Sequence, residues 1–173
     1  DNHRNDLIFE MAMKEDFPGW GNMLEKGNGT LFEDWECRGS ALHSSYLYIG
    51  SWFIEALGGI RRTESGYKQF IIEPWITEKG PRQVRSHYNS MYGNIVSNWA
   101  VNSGVLNLEV TVPANTTAIL KLSDIDLETL KEGDSIWKEA KGVSLYAQKG
   151  RAISLALQSG TYRFSVTMNS SIQ

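Results

Sequence analysis

Between Gly27 and His43 the sequence gathers side chains suited to sugar chemistry. Phe32-Glu33-Asp34-Trp35-Glu36 packs three carboxylates and two aromatic rings into five residues, and His43 follows ten residues after Glu33. A carboxylate can take a proton from water. Aromatic rings stack on the apolar faces of sugars, and an imidazole can hydrogen-bond their hydroxyls. Glycosidic bonds are hydrolysed by pairs of carboxyl groups flanking the bond. A solvated acidic loop with one packed ring would use the same residue types, so these types alone leave both readings open.

A turn and two helices must hold these groups. The stretch 5–15 predicts a helix with Asn5 as its cap and Asp6 in its first turn. Leu7, Ile8, Met11 and Ala12 recur there at helical spacing, and Phe17-Pro18-Gly19 ends it. A short helical turn is expected over 20–26, and Gly27 and Gly29 then break into the acidic stretch. The polar linker Cys37-Arg38-Gly39-Ser40 leads out to a second helix over 43–57. Tyr46, Ile49, Phe53 and Leu57 form its stripe, widened by Leu47, Trp52 and Ile54. A helix apolar on most of its circumference needs more than one neighbour, and Gly58-Gly59 ends it. Two helices and a loop cannot cover it, so further helices are expected upstream. The chain opens Asp1-Asn2-His3-Arg4 without Met or a leader pattern and reads as cut from something longer.

Beyond Arg61-Arg62 the texture changes to short strands. Phe70-Ile71-Ile72 is an apolar run beside Pro74. Period-2 alternation then places Leu106, Leu108, Val110 and Val112 on one face, followed by Ala118, Leu120 and Leu122. Ile153, Leu155 and Leu157 repeat the pattern, as do Tyr162, Phe164 and Val166. Turn signals fall at Asn102-Ser103-Gly104, Lys149-Gly150 and Ser159-Gly160, the last fitting a two-residue hairpin. About eight strands at this spacing predict an antiparallel β-sandwich over 66–168. The region 124–139 reads as a loop with a strand around Ile136-Trp137.

Composition narrows the function classes. With 173 residues and 41% apolar content the chain can bury a core for one domain or one and a half. A net charge of −3 with no basic run excludes nucleic acid as a partner. No apolar run approaches the roughly 18 residues of a membrane span. The single cysteine, Cys37, cannot form an intrachain disulfide. One cysteine and three scattered histidines offer no zinc-ligand spacing, and no cofactor is expected. Three matches to the glycosylation pattern, at Asn28, Asn115 and Asn169, carry little weight in a chain rich in Asn, Ser and Thr.

Several blocks resemble a family in unbroken order. They are Phe17-Pro18-Gly19-Trp20-Gly21-Asn22-Met23-Leu24, Gly29-Thr30-Leu31-Phe32-Glu33-Asp34-Trp35-Glu36, Leu42-His43-Ser44, Trp52-Phe53 and Leu57-Gly58-Gly59-Ile60-Arg61. Phe70-Ile71-Ile72-Glu73-Pro74, Tyr88-Asn89-Ser90-Met91-Tyr92-Gly93 and the stretch 110–118 continue the match. Together they resemble the C-terminal end of bacterial α-L-rhamnosidases, the family 78 glycoside hydrolases. The fold this implies is α+β: the last helices and active-site loop of an (α/α)6 barrel over 1–62, then a β-sandwich over 66–168. The implied activity is inverting removal of terminal α-L-rhamnose from glycosides or polysaccharides, without a cofactor. Glu33 corresponds to the family's general base and His43 to a histidine that contacts the sugar. Phe32 departs from the pattern where Trp is more usual and keeps an aromatic ring.

Against that pattern, Asp34 and Glu36 become groups behind Glu33 that orient it or repel its charge. Trp35 divides between core packing and a substrate platform, and His43 between sugar ligand and hydrogen bonder at a helix start. His87 reads as structural, and Cys37, beside Glu36, as an unreactive thiol. The general acid and the domains N-terminal to this chain are expected upstream, so the chain alone is expected to be inactive and prone to self-association. An exported location, periplasmic or extracellular, is favoured over the cytoplasm. The competing reading is a non-catalytic module, structural or carbohydrate-binding, in which Trp75, Tyr88, Tyr92 and Trp99 are exposed on the sandwich.

Overall fold

Helices come first and strands after them in the computed structural model, which describes residues 4–27, 29–44 and 48–169. The chain divides into two compact units, Asp1–Phe53 and Ile54–Gln173.

In the first unit, α1 spans Asn5–Ala12 and α2 spans Trp20–Lys26. The first helix stops short of the expected residue 15 for a backbone reason. Pro18 has no N–H to give the Lys14 carbonyl, and that carbonyl accepts instead from Gly21 N–H at 3.1 Å. Asn5 does not cap α1. Arg4 holds the cap position without a capping bond, and Asn5 Oδ1 accepts from Trp52 Nε1 at 2.9 Å. The helix expected over 43–57 is observed as α3, Ile49–Trp52, running into a π-helical turn at Phe53–Leu57. His43 precedes it outside any helix, and Tyr46 and Leu47 lie outside the described residues. None of the described residues of α3 or the π-turn is fully buried.

In the second unit, two sheets enclose one core. The strands are β1 Ile60–Arg62, β2 Gln69–Ile72, β3 Gln83–Ser90, β4 Gly93–Asn102, β5 Val105–Val112 and β6 Thr117–Leu122. They continue as β7 Lys131–Glu132, β8 Ser135–Ile136, β9 Val143–Lys149, β10 Ala152–Leu157 and β11 Gly160–Thr167. The first sheet runs β1-β2-β6-β10-β9 and the second β3-β4-β5-β11-β7-β8. Pairings are antiparallel except β2 with β6, which runs parallel from Gln69↔Thr117 to Ile72↔Leu120.

Period-2 alternation decides which face meets the core. Leu106, Leu108, Val110, Leu155, Tyr162 and Phe164 are all buried, as their alternation predicts. With Phe70, Ile72, Ile95, Leu120 and Ile153 they form one apolar cluster drawn from both sheets. Each such side chain contributes about 1.5–3 kcal/mol of transfer free energy. Trp99 belongs to this core: it is buried and its indole N–H donates to the Leu57 carbonyl at 2.8 Å. It is therefore no exposed sugar platform.

The hairpin reading of Ser159-Gly160 is corrected. β10 pairs with β6 and β9, whereas β11 pairs with β5 and β7, so this corner carries the chain from one sheet to the other. Tyr162 fixes the corner, its hydroxyl lying 2.9 Å from the Gln158 carbonyl and 3.2 Å from that of Gly142. Two-residue hairpins occur elsewhere, one of them at Ser103-Gly104 between β4 and β5. Both residues there have positive φ, 48° and 77°, as a turn matching strand twist requires. Within 124–139, Ile136 is in β8 as expected, but Trp137 opens a 3₁₀ turn and is buried.

Candidate active site

The acidic stretch is closed into a clasp by backbone bonds. His43 N–H donates to the Leu31 carbonyl at 3.0 Å and Glu33 N–H to the Ser40 carbonyl at 3.2 Å. The Thr30 hydroxyl adds a bond to the Ala41 carbonyl. Segments 30–33 and 40–43 are thereby zipped together, and residues ten apart in sequence become neighbours. Glu33 Oε2 stands 3.9 Å from His43 Nδ1, and both side chains keep access to solvent, at 48% and 39% exposure. That separation is too long for a direct hydrogen bond.

The clasp is anchored below by α2. Met23 is fully buried. The Phe32 N–H points at Met23 Sδ, 3.3 Å away, and the Cys37 thiol at the Met23 carbonyl, 3.8 Å away. Trp35 meets Trp20 edge-on with ring centroids 5.5 Å apart. This pairing ties the loop to the start of α2.

Arg38 organises the turn of the clasp. Its N–H and Nε donate to the two Asp34 carboxylate oxygens, each at 3.0 Å, and its guanidinium reaches Glu36 Oε2 at 3.4 Å. The Arg38 backbone N–H, then its side chain, holds the Asp34 carboxyl below the usual carboxylate range. Asp34 and Glu36 thus grip Arg38 rather than the Glu33 side chain. Gly39, at φ +71°, lies directly against the Glu33 carboxylate. Neither Arg38 nor Gly39 stood out in the sequence, where they read as linker. The four-residue spacing of Asp34 and Arg38 was the available signal. Among the described residues no group of three or more His, Cys, Asp or Glu side chains could hold a metal ion. No helix among them is long and apolar enough to cross a membrane.

Residues 1–57, which carry the clasp, match the bacterial alpha-L-rhamnosidase 6 hairpin glycosidase domain. Residues 59–136 match the bacterial alpha-L-rhamnosidase C-terminal domain. The chain belongs to the bacterial α-L-rhamnosidase family. It is 30% identical over 170 residues to an alpha-L-rhamnosidase of Formosa agariphila, covering 92% of this chain and 18% of that protein. Among solved structures, the alpha-L-rhamnosidase of Streptomyces avermitilis complexed with L-rhamnose matches with a TM-score of 0.79 at 23% identity, over 95% of this chain and 16% of that one. The alpha-L-rhamnosidase from Dictyoglumus thermophilum matches with a TM-score of 0.76 at 26% identity, over 92% of this chain and 18% of that one. The chain thus spans under a fifth of the length of these relatives.

Proposed function

We propose that this chain works as the C-terminal part of a longer α-L-rhamnosidase that removes terminal α-L-rhamnose from glycosides with inversion, Glu33 acting as general base. The observation that carries the reading is the clasp, which sets a half-exposed carboxylate beside an imidazole in the segment matched to the glycosidase domain. A water or sugar hydroxyl lying beside the pair can hydrogen-bond to both groups, which stand 3.9 Å apart. In the reaction Glu33 takes a proton from the water that attacks the anomeric carbon. A carboxylic acid from the upstream part of the protein protonates the departing oxygen on the opposite side. Inverting pairs stand roughly 6.5–9.5 Å apart to admit that water. His43 contacts the sugar, and Trp35, through its packing on Trp20, shapes the floor beside it. Asp34 and Glu36 shape the loop through Arg38.

In the same proposal, 1–62 supplies the last helices and the active-site loop of the catalytic barrel, and 66–168 is the β-sandwich that follows it in sequence. Asp34 and Glu36 are too close in sequence to Glu33 to face it across a sugar, and in this reading the opposing carboxyl group comes from outside the 173-residue chain, which is inactive alone. The test is Glu33→Gln in the full-length enzyme, assayed on p-nitrophenyl α-L-rhamnoside. A positioned base is worth about 10²–10⁴-fold, so turnover should fall by at least roughly 10²-fold with folding unchanged. Retention of more than a tenth of wild-type turnover overturns the assignment. Proton NMR of the first-formed rhamnose anomer checks inversion.

A further inference from the structure

The Glu33 carboxylate has a neighbour on its other side that chemistry alone would not pick out. Gly39 has no side chain, and a Cβ built there would overlap Glu33 Oε1 and Cδ and come within 2.8 Å of Cγ. The backbone at this point has little freedom to retreat. On one flank the Ser40 carbonyl accepts the Glu33 N–H at 3.2 Å. On the other, Arg38 is fastened to both Asp34 oxygens at 3.0 Å and to Glu36 at 3.4 Å. The Glu33 side chain, by contrast, is 48% exposed, so its end can shift at less cost than the fastened backbone. A methyl group at 39 is therefore accommodated by the carboxylate swinging away, not by the loop opening.

We propose that Gly39 is a positioning residue: the space left by its absent side chain, held in place by the Asp34–Arg38–Glu36 grip, sets where the Glu33 carboxylate stands relative to His43. The proposal rests on Glu33 being the base. A displacement of about 1 Å in a reacting group can cost on the order of 10²-fold in rate.

The experiment uses the full-length enzyme. Gly39→Ala should lower kcat roughly 10²-fold while KM stays within about twofold and the melting temperature shifts little. Gly39→Asn separates two causes, because Asn tolerates positive φ but carries a Cβ. It should lose as much as Gly39→Ala. In a Glu33→Gln background, Gly39→Ala should change residual turnover by less than about twofold, since the group it displaces is already disabled. The proposal is overturned if Gly39→Ala keeps more than half of kcat, if Gly39→Asn restores activity, if the losses multiply in the double variant, or if neither variant folds. The base reading fails separately, when Glu33→Gln alone remains active.

Discussion

Ile54–Gln173 and Asp1–Phe53 are ordered by different means. The sandwich buries a continuous apolar cluster fed by both sheets. The helical unit buries only Met23 and Leu31 among its described apolar side chains, and leaves Leu7, Met11, Met13, Phe17, Leu24 and Leu42 exposed. Its clasp is fixed by backbone bonds, a gripped arginine and one edge-on tryptophan pair. Cohesion by burial sits in one region and the candidate chemistry in the other. These exposed apolar residues lie in the segment that matches the 6 hairpin glycosidase domain.

Three measurements test this contrast. The largest effect is expected from Leu108→Ala in β5. Leu108 is 2% exposed, so its truncation should cost roughly 2–5 kcal/mol in urea unfolding of the sandwich. A cost below about 1 kcal/mol would mean that the core is not the source of its cohesion.

The second concerns the clasp and acidity. The Asp34 carboxyl is held below its ordinary range by the Arg38 N–H and guanidinium. A group depressed in the folded state adds stability that is complete above its ordinary unfolded pKa and lost as pH falls through the lower folded value. Hydrogen exchange at the Cys37 and Arg38 amides should therefore quicken selectively on acidification below the ordinary aspartate range, after correction for intrinsic rates. Asp34→Asn should remove that pH dependence while β4 and β5 amides are unaffected. Equal loss of protection in strands and clasp would contradict a locally fastened loop.

The smallest effect is expected from Leu24→Ala on α2. That side chain is 43% exposed, and the unfolding free energy should move by no more than about 0.5 kcal/mol. A loss on the scale of Leu108→Ala would reveal a core in the helical unit.

Strand positions were legible because alternation is a local signal. Leu106, Leu108 and Val110, and Tyr162, Phe164 and Val166, fall inward as read. Sheet membership was not local. Ser159-Gly160 has the spacing and the glycine of a hairpin, yet β10 and β11 find partners in different sheets. Trp99 resembled an exposed ring because only tertiary packing brings the Leu57 carbonyl to its N–H. At the candidate site, residue types singled out Glu33 and His43, but their proximity depends on backbone bonds between 30–33 and 40–43 that leave no side-chain pattern. Gly39 was invisible for a related reason: its contribution is the volume it does not fill.

The parallel pairing of β2 with β6 has a consequence for how the chain comes off the ribosome. β3, β4 and β5 form a meander whose neighbours are consecutive in sequence, and local pairings of this kind form early. β2 pairs early with β1 but must wait for its second partner, which begins at Thr117. β6 in turn is flanked on its far side by β10, which starts at Ala152. β11 then joins β5 to β7 in the other sheet. The first sheet thus needs β10 and the second β11 for its full strand order, and the β1–β2 ribbon keeps the far edge of β2 unpaired until β6 has emerged. Such an edge recruits foreign strands. A chain released before Thr117 would hold its meander but leave that edge of β2 open, and one released before Ala152 would cover β2 and leave the far edge of β6 open instead.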